Sequence, residues 1–161
     1  DYTKRHSNLG RFCPYSIRMR DIINPDLQQI LVEKASDVFR RVFSRGTYGV
    51  VEPPRFETAA EVRMMYDAHC DISGHTMMPE AALARAIGAS YAALYVISNH
   101  AEGILPNWKQ SIFDIYESCA PIVGGVMLNA MAAIDPEKVH NNSEENIIKM
   151  PEHVAKRIDA E

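Results

Sequence analysis

Residues 91–98 read Tyr-Ala-Ala-Leu-Tyr-Val-Ile-Ser, an almost unbroken apolar run that ends at Asn99. A short run without polar alternation predicts a strand covered on both faces. Such a strand needs neighbours on both edges, because its backbone donors and acceptors must be paired. The rest of the chain offers two short candidates, Thr47-Tyr48-Gly49-Val50-Val51 and Asp71-Ile72-Ser73. Three strands make a small sheet. The reading is therefore α/β, a partial mixed sheet flanked by helices, completed by further polypeptide or by other protein chains of an assembly.

The helical segments follow from capping residues and apolar spacing. Asn24-Pro25 suits an N-cap followed by proline in the first turn, and Leu27, Ile30, Leu31, Ala35 and Val38 recur at helical spacing, predicting a helix from Pro25 to about Arg41. A second helix is expected from about Thr58 to Ala68, and a third from Pro79 to Gly88. From Trp108 to about Ile134 runs a long apolar helical pattern containing Pro121 and Gly124-Gly125, which predicts a kink or two helices. Residues 1–24 read as an irregular arm. Residues 1–134 form the expected domain, and residues 135–161 a polar C-terminal extension on a surface path, with a short helix near Pro151.

With 161 residues, 47% of them hydrophobic, the chain is long enough for one compact domain. No run of about 18 apolar residues predicts a membrane span, and the polar start does not resemble a signal peptide. The absent initiator Met fits a processed protein or a fragment. Three widely spaced cysteines, Cys13, Cys70 and Cys119, disfavour both a disulfide framework and a zinc site. An intracellular location is expected, cytoplasmic or mitochondrial, with no cofactor. Residues 1–50 carry nine Lys or Arg against five acids, and the remainder eight against sixteen. The basic start (Lys4, Arg5, Arg11, Arg18, Arg20) is read as a solvated or interface arm, since no aromatic ladder or binding motif accompanies it and nucleic acid is not the expected partner.

Three motifs carry the functional reading. They are Glu52-Pro53-Pro54-Arg55-Phe56-Glu57-Thr58, then Gly74-His75-Thr76-Met77-Met78-Pro79-Glu80, then Ser98-Asn99. In this order and spacing they resemble the C-terminal half of the trimeric purine nucleoside phosphorylase and methylthioadenosine phosphorylase family, whose pattern runs E-G-P-R-F-E-T, G-M-[ST]-x-x-P-E and [ST]-[ND]. The resemblance begins at Asp1-Tyr2-Thr3-Lys4-Arg5 and runs to about Ile134. It implies a mixed α/β fold and cleavage of a purine nucleoside by phosphate, a pentosyl transfer in which phosphate is the co-substrate.

Positive charge builds on the sugar and negative charge on the purine as the glycosidic bond breaks, so the reaction needs a donor at the base and a pre-placed anion at the ribose. By resemblance, Asn99 is the catalytic residue at purine N7 and O6, and Glu57 accepts from the purine N1–H. Phe56 packs beside the nucleoside, His75 stands at the ribose, and Thr76 faces the phosphate. Asn rather than Asp at position 99 points to 6-oxopurines, because an amide offers both a donor and an acceptor. Taken alone, Glu57 equally suits a helix N-terminus, and Asn99 a turn.

Three departures bear on activity. Pro53 stands where the family has Gly, which removes a donor and fixes φ. His75 replaces a Met. Asn107-Trp108-Lys109-Gln110 occupies the region of the family's H-E-E segment, and the phosphate-binding half is not in this sequence. These departures favour a degenerate phosphorylase-like domain kept as a non-catalytic accessory subunit of a larger complex. The alternative is the active part of a 6-oxopurine or methylthionucleoside phosphorylase.

Overall fold

The computed structural model of the protein describes residues 15–105, 112–149 and 151–152. Most of the basic arm, the 107–110 segment and the helix expected beyond Pro151 lie outside the described residues. In chain order the elements are β1 (Tyr15–Ile17), α1 (Pro25–Ser36), β2 (Tyr48–Val50), α2 (Ala59–Asp67), β3 (Ile72–Gly74), α3 (Met77–Ala86), α4 (Ile112–Ala133), a 3₁₀ turn (Glu144–Asn146) and β4 (Ile147–Lys149).

The helix ends follow their caps. Asn24 accepts from the Asp26 and Leu27 amides, with Pro25 opening α1, so two orphan donors are satisfied before the first turn closes. The helix stops at Ser36, short of the expected Arg41, and Val38 beyond it is 52% exposed. Thr58 and Glu61 form a reciprocal capping box at the start of α2. Within α3, Met78 is extended (φ −111°, ψ 136°), so the regular turns begin at Pro79. Gly88 (φ 75°) then ends the helix, its amide on the Arg85 carbonyl and the Ala89 amide on that of Ala84, the paired closure of a left-handed C-terminus.

The sheet is smaller than expected and divided. β2 and β3 pair in parallel, Gly49 opposite Ser73, joined through α2 as a β-α-β unit. β1 pairs antiparallel with β4, Ser16 opposite Ile148. Residues 91–98 have no ladder partner among the described residues and form no strand. The segment is half-buried at most and is held by separate contacts: Tyr95 packs on Tyr48 with centroids 4.5 Å apart, and the Tyr91 carbonyl accepts from the Asn24 amide at 2.7 Å. Val96 and Ile97 remain exposed.

α4 is one helix through Pro121, not two. It packs on α1 through a face that includes buried Val126 and Ala130. No helix among the described residues is long and apolar enough to cross a membrane. The described core is formed by Ala35, Val50, Val51, Met65, Ala81, Ala86, Val126 and Ala130. Met64, next to buried Met65, is exposed.

Residues 15–24, expected as an unpacked arm, supply β1 and the fully buried Asn24. The surface path expected beyond Ile134 is likewise corrected, since Ser143 and Asn146 are buried. The Asn24 amide donates to the His140 carbonyl, Asn141 to that of Gly88, and the Ser143 hydroxyl to that of Ala89. Beneath them lies Arg85, 1% exposed. Its guanidinium donates to the carbonyls of Asn142, Arg20 and Asp21 at 3.0, 3.2 and 2.7 Å. Polar side chains are buried here because backbone carbonyls receive them.

Candidate functional site

The loop from β2 to α2 carries the first motif. Val51 extends the parallel pairing by one bond, its amide on the Gly74 carbonyl at 3.0 Å. The chain then turns through Pro53-Pro54, joined by a cis peptide bond. Arg55 is held by Glu61 and by the Phe56 carbonyl. These contacts set the direction of the next two side chains: Phe56 is 53% exposed, whereas Glu57 is 6% exposed.

Among the described residues no hydrogen bond reaches the Glu57 carboxylate. The fully enclosed side-chain atoms without a partner are Arg85 Nε and Asn146 Oδ1, so the Glu57 oxygens keep an opening to the outside. A carboxylate deprived of most of its water and given no donor is costly. A ligand N–H arriving through that opening offsets the cost.

His75 follows β3 directly. Its Nδ1 lies 3.1 Å from the Val51 carbonyl, so in the tautomer that bonds there Nδ1 carries the proton. Its ring stands 6.2 Å from that of Phe56, tilted by 52°. Phe56 and His75 thus form a ring pair at the loop that carries Glu57. Thr76 is exposed at the start of α3, and its side chain caps no helix amide.

Residues 91–98 lead to Asn99. Tyr95 is fixed against Tyr48, and burial pushes its phenol up, with the nearby Thr76 hydroxyl acting in the opposite direction. Burial likewise raises Tyr91, with Tyr95 and Glu80 adding to it. Asn99 Oδ1 accepts from the Ser98 hydroxyl at 2.6 Å and Nδ2 donates to the His100 carbonyl at 3.0 Å. Each end of the amide therefore retains bonding capacity, one proton on Nδ2 and a lone pair on Oδ1.

Phe56, Glu57 and His75 are brought together, and Thr76 stands beside Tyr95. Asn99 makes no hydrogen bond to Phe56, Glu57, His75 or Thr76. Four positions beyond Asn99 stands Gly103, which sequence reasoning did not single out. Gly103 has φ 80° and lies against Ala59, so closely that a β-carbon there would overlap that of Ala59 and stand 3.2 Å from its α-carbon. A surface depression of about 310 Å³ opens along the same loop, lined by Val51, Glu52, Pro53, Pro54, Arg55 and Glu61.

Residues 2–118 match the family model of the phosphorylase superfamily. A probable 6-oxopurine nucleoside phosphorylase of Thermococcus kodakarensis is 37% identical over 111 residues, 69% of this chain and 41% of that protein. A probable S-methyl-5'-thioinosine phosphorylase of Xylella fastidiosa (strain 9a5c) is 45% identical over 98 residues, 61% of this chain and 37% of that protein. Among solved structures, a methylthioadenosine phosphorylase from an antarctic soil metagenomic library superposes with a TM-score of 0.71 at 26% identity, over 83% of this chain and 48% of that one. The chain spans less than half the length of each of these relatives.

Proposed function

The chain belongs to the phosphorylase superfamily, in its purine nucleoside and methylthioadenosine phosphorylase branch, and from that premise we propose that it carries the purine-recognising part of a 6-oxopurine nucleoside phosphorylase site. The observation that supports this reading is Glu57, buried to 6% exposure with no donor among the described residues. A pocket relieved of its ligand has no reason to keep a desolvated, unpartnered carboxylate, because a neutral replacement would be more stable. In a 6-oxopurine, N1 carries hydrogen, and Glu57 accepts it. The Asn99 Nδ2 donates to O6 and its Oδ1 accepts from N7–H as N7 is protonated, Phe56 covers the base, His75 lies at the sugar and Thr76 at the phosphate.

In phosphorolysis a phosphate oxygen bonds to the anomeric carbon as the carbon–nitrogen bond breaks. The released electron pair moves onto the purine, which takes up a proton from solvent at N7. The bond donated to O6 and the bond accepted from N7–H strengthen as this charge develops and accelerate the reaction, while Glu57 orients the base through N1–H. Phosphate is the co-substrate, and the rest of its binding set comes from polypeptide outside this sequence, in the same or another chain.

A second reading, a non-catalytic accessory subunit, is favoured by His75, whose ring nitrogen is directed to the Val51 carbonyl, and by Pro53, which has no amide proton to offer an anion. The two readings separate by calorimetric titration with hypoxanthine and by phosphorolysis of inosine in the presence of phosphate. Micromolar hypoxanthine binding that is lost in Glu57→Ala and Asn99→Ala supports the first. No heat at millimolar hypoxanthine supports the second.

A further inference from the structure

Building on the purine-site reading, we propose that Gly103 is a positioning residue, seating the loop that carries Asn99 on the first turn of α2 so that Asn99 and Glu57 share one purine. Two observations carry the inference. Gly103 adopts φ 80°, a backbone state that side chains disfavour. Its missing β-carbon also leaves the space filled by Ala59, two residues after Glu57. Three residues separate Asn99 from Gly103, so the seat fixes where the amide stands relative to the carboxylate.

The chemistry explains why such a seat is needed. Glu57 and Asn99 lie 42 positions apart on different segments, and no hydrogen bond between them sets their spacing. A fused purine is rigid, and its N1 and N7 flank the C6 oxygen at a fixed span. Two groups that must both bond to it have to be held apart at a fixed span, and an error of about 1 Å weakens both bonds. Backbone-to-side-chain packing at Gly103 is a stiffer spacer than a solvated loop.

The test compares wild type, Gly103→Ala, Ala59→Gly and the double variant. Hypoxanthine and adenine affinities are measured by calorimetry, and folding separately by thermal melting. Gly103→Ala is expected to weaken hypoxanthine binding at least tenfold and to reduce the preference for hypoxanthine over adenine. Ala59→Gly in the same chain removes the overlapping methyl and is expected to restore much of both. A purely structural role for Gly103 would shift the melting temperature and leave the base preference unchanged.

Hypoxanthine binding by Gly103→Ala equal to wild type overturns the proposal, as does a loss that Ala59→Gly does not relieve. If wild type binds no hypoxanthine, the purine-site reading falls and takes the positioning role with it. That outcome is distinct from a wild type that binds while the variants show no coupling.

Discussion

Arg55 and Glu61 meet as a two-pronged pair, Nη1 2.8 Å from Oε2 and Nη2 2.6 Å from Oε1, while Glu61 also accepts from the Thr58 amide and hydroxyl. One carboxylate therefore closes the proline turn and caps α2, fixing the loop between them that holds Phe56 and Glu57. Both partners are open to solvent, so the pair matters for where the loop goes more than for global stability.

The Arg55 guanidinium and the Thr58 donors hold the Glu61 carboxyl at about 2, below its ordinary value of 4.5. A folded-state value below the unfolded one adds stability that is fully present above about 4.5 and is lost as pH falls towards 2. Hydrogen exchange at the Thr58 and Glu61 amides should accelerate, beyond the intrinsic pH trend, across that window. Glu61→Gln should abolish the pH dependence. An unchanged profile in the variant would remove Glu61 from this role.

His69 adopts φ 58° at the position after the α2 cap, with its amide on the Tyr66 carbonyl and the Cys70 amide on that of Met65. This is the closure made at Gly88, here with a side chain in the left-handed region. His69→Gly should raise stability by about 0.5–1 kcal/mol in urea denaturation, since glycine adopts that region without the side-chain penalty. A loss of stability would mean that the imidazole contributes a contact outweighing the backbone strain.

How much of this was legible in the sequence depended on whether a signal was local. Asn24-Pro25, Thr58 and Gly88 placed helix ends within a few residues, because caps act over one turn. Phe56, Glu57, His75, Thr76 and Asn99 were found through motifs, which mark positions and not distances. The β1–β4 pairing was missed because two three-residue strands more than a hundred residues apart show no readable alternation. Polarity at residues 140–146 suggested solvent exposure, whereas Asn141, Asn142 and Ser143 are directed at buried carbonyls. Gly103 was overlooked because a glycine after a turn is ordinary until its φ and its neighbour are known.

Arg85 tests that buried polar layer. It joins α3 to residues 20–21 and to Asn142, and its Nε has no partner. Arg85→Met would keep much of the volume and remove three hydrogen bonds, although the Asp21 and Asn142 carbonyls keep those from the side chains of Asn142 and Asn146. The expected cost is about 2 kcal/mol or more in chemical denaturation. A variant as stable as wild type would show that burying the charge costs as much as its bonds return.

Glu57 should behave in the opposite sense. Glu57→Leu is expected to leave stability unchanged or raise it by about 1 kcal/mol, since it removes a desolvated charge that has no described donor. The same change should eliminate hypoxanthine binding. Glu57→Gln, which keeps the shape but presents a weaker acceptor, should lose about 10- to 100-fold in affinity, the scale of one hydrogen bond to a charged group. Denaturation and calorimetry on the same preparations give both values. A destabilised Leu variant would show that the carboxylate is used within the fold and would weaken the purine reading.

On the purine-site reading proposed above, Asn99 is expected to set which base is taken. Its amide has one donor and one acceptor site left after the bonds to Ser98 and His100, a combination suited to O6 and N7 of a 6-oxopurine. Asn99→Asp removes the donor and places a negative charge beside O6, while an exocyclic amine at the same position becomes a favourable partner. Hypoxanthine affinity should fall about tenfold or more and adenine affinity should rise, reversing the preference in a competition titration. Equal losses for both bases would place Asn99 in the loop's turn rather than at the base. In that case the Ser98 hydroxyl bond is its function, and selectivity must come from Glu57.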